Sequence, residues 1–339
     1  MKIDAFPHIL PRPYYDRMMR ATGPAAVYMQ KRVSAIPVLY DLDERFRVMD
    51  RFGPDYVQVL TLASPPVEAL GEPTETRDLA RLANDSMADL VQKHPDRFLG
   101  FAASLAMNDP DAAVAEAERA IKDLGALGVQ VFTNAAGVPL DDPRYEALFA
   151  TMAKHDRAIW VHPARTAKMP DYPGETASKY ELWWVFGWPY ETAIFMSRLI
   201  FGGHLDRYPD LKILTHHGGG MVPHFAGRIG PGLDQLGART PDEDLTKVAR
   251  SLKHRPLDYY KRFYGDTALF GARHAVQCAV DFFGADHILF GSDMPFDPER
   301  GPQFIRDTIA DVDALAVTDA ERRQIYEGNA RRVLRITAL

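Results

Sequence analysis

Short apolar runs rich in β-branched residues recur along the chain, and most are followed by a longer stretch in which apolar residues return every three or four positions. The short runs predict strands at Lys2–Ala5, Tyr56–Thr61, Phe98–Ala103, Val129–Thr133, Ala158–His162, Lys212–His216, Phe263–Gly265 and His287–Ser292. Between them, Thr76–Lys93 and Asp109–Leu124 carry apolar residues at helical spacing. Val317-Thr318-Asp319-Ala320-Glu321 reads as a capping box that opens a last helix running towards Asn329–Leu334. Eight strands alternating with helices over about 300 residues predict an α/β fold, a (β/α)8 TIM barrel. A doubly wound sheet is the competing arrangement. The barrel is favoured because the unusual polar residues fall at strand C-termini, where barrel enzymes carry their chemistry.

On this reading residues 1–339 form a single domain with two insertions. Residues 9–41 contain Pro11, Pro13 and Pro24 and lie between the first strand and the first helix. Residues 167–190 are rich in aromatic residues and follow the fifth strand. Both emerge at the C-terminal face, where long loops shape a substrate pocket.

Composition narrows the partners. Hydrophobic residues make up 46% and charged residues 25% of the 339 residues, enough to bury a large core. With 40 basic and 46 acidic residues the net charge is −6, which argues against nucleic-acid and anionic-membrane partners. No apolar run approaches the roughly 20 residues that span a bilayer. The first residues, Met1 to His8, place Asp4 and Pro7 where a signal peptide needs its apolar region. These features predict a cytoplasmic protein. Cys278 is the one cysteine, so an intrachain disulfide and a structural cysteine–zinc site are excluded. A metal must be held by His, Asp or Glu.

Of the eleven histidines, His94, His155, His204, His224, His254 and His274 fall in predicted helices or turns and read as surface or capping residues. His287 opens a strand, at the wrong end for barrel chemistry. His8, His162, His216 and His217 each lie at the end of a predicted strand. Strand alternation puts Asp4, Phe6 and His8 on one face, and it points His216 and His217 to opposite sides, so one of that pair enters the barrel mouth. Gly218-Gly219-Gly220 then lets backbone or ligand approach closely. Asp293 ends the eighth strand, well placed to bind a metal or shuttle a proton. Each strand-end histidine alone is more often a hydrogen-bonded structural residue. Three imidazoles and a carboxylate on four strands are most economically explained by a divalent metal, and zinc suits such a set.

Ile3-Asp4 followed by His8-Ile9-Leu10-Pro11, then His162-Pro163, Pro189-Tyr190-Glu191-Thr192, Phe201-Gly202-Gly203, His217-Gly218-Gly219-Gly220, Gly227-Arg228-Ile229 and Gly291-Ser292-Asp293-Met294-Pro295-Phe296 occur in this order over nearly the whole chain. The set resembles the decarboxylase-like branch of the amidohydrolase superfamily, the branch of α-amino-β-carboxymuconate-ε-semialdehyde decarboxylase and γ-resorcylate decarboxylase. The resemblance implies a barrel with one catalytic metal, held by His8, His162 and Asp293. It implies His217 as the acid/base residue and Arg228 as an anchor for substrate carboxylate, reaching across a homodimer interface. The activity it implies is non-oxidative decarboxylation, a carbon–carbon lyase reaction, of a small aromatic or unsaturated carboxylate from ring degradation.

Phe6 departs from the pattern. The family places a His or Glu ligand two residues before His8, and phenylalanine cannot ligate. The site is left with three protein ligands. These can still hold zinc, manganese or iron; loss of the metal is the other outcome. Phe6 can instead pack against a flat conjugated substrate. Trp183, Trp184 and Trp188 form an aromatic group with Tyr180, Phe186 and Tyr190, whose plain reading is a buried cluster or a dimer interface. Trp183 and Trp184 are its candidates for a wall over a planar substrate. Arg32, in the early loop, is a further candidate for carboxylate binding beside the plainer reading of a surface arginine. Two rival functions share these residues. One is a hydrolase or hydratase acting on a lactone, amide, C=C bond or 1,3-diketone. The other is a metal-poor relative that only binds a ligand.

Overall fold

Eight parallel strands follow one another around a ring in sequence order. They are β1 (Lys2–Asp4), β2 (Tyr56–Leu62), β3 (Phe98–Ser104), β4 (Gly128–Phe132), β5 (Ala158–His162), β6 (Ile213–Thr215), β7 (Tyr264–Asp266) and β8 (Ile288–Leu289). The computed structural model describes residues 1–21, 31–240 and 244–337. Backbone bonds join β8 back to the first strand. Ala5 N–H donates to Phe290 O at 2.8 Å, Asp293 N–H to Phe6 O at 3.2 Å and His8 N–H to Met294 O at 2.8 Å. The expected (β/α)8 TIM barrel is therefore the fold. Each of the eight sequence-predicted strands overlaps its observed strand. The short β8 makes one end of its neighbourhood depend on the turn that follows it, and that turn carries Asp293.

The strands alternate in the expected way. Ile3, Ala5, Val57, Val59, Leu99, Trp160, Leu214 and Leu289 fill the barrel interior, where Trp160 donates its indole N–H to Ala5 O at 2.8 Å. Gly128 makes room for this ring, since a Cβ there would stand 2.8 Å from it. Tyr56, Phe98, Phe101, Val129, Val131, Ile159 and Ile213 face outward onto the helices. The helices Pro73–Lys93, Pro110–Asp123 and Pro302–Asp313 all begin with proline, whose missing N–H costs nothing in the first turn. The Thr318–Glu321 capping box is present. The helical run it opens continues through Asn329–Leu334, and Ala330, Val333 and Leu334 close the barrel's lower end.

Two expectations are corrected here. Asp4 does not share a face with Phe6 and His8. The chain bends at Ala5-Phe6 before resuming at His8–Ile9. Asp4 faces outward and is saturated by Tyr56 Oη–H at 2.6 Å, Ser292 N–H at 3.0 Å, Phe6 N–H at 3.2 Å and the Ser292 hydroxyl. It ties β1 to the end of β8. His204, read as a surface or capping residue, is buried against Phe149.

Both predicted insertions stand beyond strand C-termini. The described part of residues 9–41 includes the helix Arg12–Met18. Its Leu10, Tyr14, Met18, Val33 and Leu39 form a separate apolar cluster with Leu62, Leu79 and Ala83. Pro24 lies outside the described residues. The second insertion ends sooner than expected, because Gly187–Phe201 is a helix with Trp188 and Tyr190 in its first turn.

Candidate active site

The C-terminal end of β5 and the segments after β1, β6 and β8 deliver His162, His8, His216, His217 and Asp293 to one point in the barrel mouth. His8 reaches it because the bend at Ala5-Phe6 resets the strand's alternation, so Phe6 and His8 both point inward. His162 is the last residue of β5, and Pro163 follows it. His216 and His217 lie beyond β6 in a turn, not in the strand. His216 is helical, whereas His217 has φ 56° and ψ 50°, in the left-handed region. That turn overturns the expectation that only one of the pair enters the mouth. Their rings stack at 3.9 Å and both Nε2 atoms face Asp293, at 3.3 Å for His216 and 3.4 Å for His217. Gly219 permits the turn, because a Cβ at its φ of 78° would meet the Phe283 ring at 2.7 Å.

All five side chains are buried or nearly so. Burial and the surrounding charges set their protonation. Burial lowers the pKa of His8, and burial together with the neighbouring imidazoles holds His162 well below its ordinary range. His217 is lowered by burial and by His216. Burial also opposes a charge on His216, but Asp266 and Asp293 outweigh it and push this imidazole up to about 9. Burial raises Asp293. The hydrogen bonds from His216, His217 and His8 outweigh that and hold the carboxyl well below its usual range.

Hydrogen bonds also decide which ring nitrogens are free. The His162 Nδ1–H donates to Pro163 O at 2.8 Å. The His216 Nδ1–H donates to Asp266 Oδ2. Thr61 gives its hydroxyl proton to Pro7 O at 2.7 Å, so its oxygen, 3.3 Å from His8 Nδ1, accepts from His8. In the neutral form of each ring, the form a metal would bind, Nε2 is left with its lone pair. His8 Nε2 and His216 Nε2 are buried without a hydrogen bond, although His8 Nε2 is 2.9 Å from Asp293 Oδ1. One nitrogen from each of His8, His162 and His216 lies within 4.8 Å of the others, and His216, His217 and Asp293 form a second such group. Orphaned imidazole nitrogens beside an ionised carboxylate fit a divalent cation.

Aromatic rings wall the mouth. Phe6 lies flat on His216, with 3.7 Å between centroids and 12° between planes. It is fully buried, so its surface is spent on that ring more than on an incoming ligand. Trp188 packs on His162 at 5.1 Å and on His217 at 6.1 Å. Trp183 and Trp184 contact Trp188 at 5.6 and 6.2 Å and stand one layer further out. Phe296 packs on His8 and carries the Arg32 guanidinium 4.7 Å above its ring. Arg32 is half-buried, not a surface residue. Burial lowers its pKa against the opposing pull of Asp293 and Glu181. Arg228 is exposed on the helix Ala226–Leu233, and no ion pair holds it among the described residues.

Sequence reasoning passed over Asp266, Trp188 and Phe296 as site residues. Asp266 stood one residue past the predicted seventh strand, so its position at a strand C-terminus was a usable signal. Trp188 could not be told from its neighbours, because helical phase selects it only once the helix start at Gly187 is known.

Residues 38–336 match a family described as amidohydrolase. The γ-resorcylate decarboxylase of Polaromonas sp. is 33% identical over 87% of each chain. The 2-amino-3-carboxymuconate-6-semialdehyde decarboxylase of Dictyostelium discoideum is 32% identical over 76% of this chain and 67% of its own. Among solved structures, a dihydroxybenzoic acid decarboxylase from Polaromonas sp. with bound manganese and 2-nitroresorcinol superposes with a TM-score of 0.77. It is 28% identical, covering 100% of this chain and 98% of that one. The 5-carboxyvanillate decarboxylase of Novosphingobium aromaticivorans, with manganese and 4-hydroxy-3-methoxy-5-nitrobenzoic acid, gives a TM-score of 0.83 at 25% identity, covering 99% and 96%.

Proposed function

This chain belongs to the amidohydrolase family, within its decarboxylase-like branch, and on that footing we propose a metal-dependent, non-oxidative decarboxylase acting on a small aromatic or unsaturated carboxylate from ring degradation. The observation that carries the reading is the convergence of buried imidazoles and the Asp293 carboxylate under an aromatic rim.

His8, His162 and Asp293 would hold the cation. When bound, it supplies a Lewis acid that orients the substrate and offsets negative charge. Zinc suits imidazole and carboxylate donors and is the first metal to test; manganese, which the neighbouring structures carry, is the second.

In the reaction the carbon that bears the carboxyl group takes up one proton, its bond to the carboxyl carbon breaks, and carbon dioxide leaves. Asp293 stands between His8 and His217 and delivers the proton. The carboxyl is held well below its usual range and so rests as a carboxylate, which must first take up the proton that it passes to carbon. His217, 3.4 Å away and kept neutral by burial, relays protons to it. Trp188 would lie along the substrate ring, and Arg32 would pair with a substrate carboxylate on the Phe296 side. Trp183 and Trp184 back Trp188.

Arg228 is assigned to the partner's site in a homodimer. Its exposure, the absence of an ion pair among the described residues and the exposed Phe225 beside it support that assignment. No described helix is long and apolar enough to cross a membrane. A cytoplasmic location agrees with the free Cys278.

The test is carbon dioxide release from a panel containing 2,6-dihydroxybenzoate, 5-carboxyvanillate and unsaturated carboxylates, with lactones and amides beside them. Metal-dependent carbon dioxide release supports the reading. Hydrolysis or hydration without carbon dioxide release points to the hydrolase or hydratase instead.

A further inference from the structure

We infer that His216 takes the metal-ligand place that Phe6 leaves empty, so that the centre is His8, His162, His216 and Asp293. The inference rests on the metal-dependent reading above and concerns which residues build that centre. The carriers are Phe6 and His216 themselves. Phe6, without a donor atom, presents its face to the His216 ring at 3.7 Å, so the residue that cannot ligate shelves one that can. Asp266 fixes the other side of the ring. Its Oδ2 accepts from His216 Nδ1, while its Oδ1 accepts from Gly218 N–H at 3.0 Å and Ala268 N–H at 3.2 Å. A carboxylate bound to the far nitrogen of an imidazole sets the tautomer and raises the basicity of the near nitrogen, the usual support of a histidine ligand.

The near nitrogen is where a ligand is needed. His216 Nε2 is fully buried, lacks a hydrogen bond, and faces Asp293 Oδ1 at 3.3 Å. Its ring lies 5.6 Å from that of His8 and 5.3 Å from that of His162. The three residues form one of the two groups able to share an ion. His217 has a different surrounding. It stacks between His216 and Trp188 and its left-handed backbone aims it at the second oxygen, Asp293 Oδ2. It stays free for proton transfer. Gly291 keeps the arrangement tight, since a Cβ there would lie 3.1 Å from Asp266 Cβ and 3.3 Å from Phe6 Cβ.

The test counts ligands without needing turnover. Wild-type protein loaded with manganese(II), examined by electron spin-echo envelope modulation, is expected to show three coupled imidazoles. The count falls to two in His216→Ala and stays at three in His217→Asn. Zinc affinity, measured against a competing chelator, falls by at least about 100-fold in His216→Ala and by about 10–100-fold in Asp266→Asn, the scale of an outer-shell loss. Adding Phe6→His to His216→Ala recovers affinity and the third imidazole, because the donor returns on the other side of the same ring contact. Two imidazoles in wild type, or unchanged zinc affinity in His216→Ala, overturns the assignment of His216 and leaves the metal-dependent reading standing. No metal on the wild type overturns that reading itself. If His216→Ala does not fold, the wild-type count decides alone.

Discussion

Asp293 and His217 both stand in the left-handed backbone region, at φ 61° and 56°, and their side chains meet at 3.4 Å. Two non-glycine residues in this region at one site mark strain that the surrounding fold must hold. Aspartate tolerates the conformation better than most residues, and so does asparagine. Asp293→Asn and His217→Asn are therefore expected to keep the fold and remove the chemistry. Carbon dioxide release should fall by about 10²–10⁴-fold in each. Elemental mass spectrometry should separate them, with metal lost from Asp293→Asn and kept in His217→Asn. Unchanged turnover in Asp293→Asn would sink the site assignment.

Trp188 touches both His162 and His217, whereas Trp183 and Trp184 touch Trp188. Substituting Trp188→Ala is expected to cut kcat/KM by more than tenfold. Trp183→Ala and Trp184→Ala should each cost less, through a looser Trp188. Steady-state kinetics of the three variants orders them, and equal effects would place the wall further out.

Arg228 allows a mixing experiment. In a dimer where each site uses its own Asp293 and its partner's Arg228, Arg228→Ala and Asp293→Asn protomers are each inactive alone. A heterodimer regains one working site. Refolding or co-expressing the two in equal amounts should restore about one quarter of wild-type activity, since half the dimers are mixed. A mixture as inactive as its components would keep Arg228 out of the partner's site.

Glu68 is buried beside a small cleft lined also by Leu62, Ser104, Gln130 and Phe132. Burial pushes its carboxyl from 4.5 up to about 7. The folded state then holds this proton more tightly than the unfolded chain. Between about pH 4.5 and 7 folding stability falls as pH rises, by about 3 kcal/mol in all at order of magnitude. Glu68→Gln keeps the shape and removes the titration. Its Tm should exceed that of wild type by roughly 5 °C or more at pH 8 and match it near pH 4.5. Equal Tm differences at both pH values would show that this proton is not linked to folding.

Much of the molecule was legible in one dimension. Period-two and period-3.6 patterns and the Thr318–Glu321 box are local, so the sequence declared eight strands, the helices near 76–93 and 109–124, and the last helical run. His8, His162, His216, His217 and Asp293 stood out because strand ends in a barrel converge, and the family resemblance picked His217 from the adjacent pair. What the pattern does not carry is side-chain direction where the backbone leaves its regular period. The bend at Ala5-Phe6 turned Asp4 outward and Phe6 inward, and the left-handed step at His217 brought two adjacent histidines to one carboxylate. Asp266 and Trp188 entered the site through packing between elements far apart in sequence. Alternation and spacing follow from local geometry, which sequence fixes residue by residue. The partner of a ring or a carboxylate depends on which distant segments share its space, and only the closed barrel decided that.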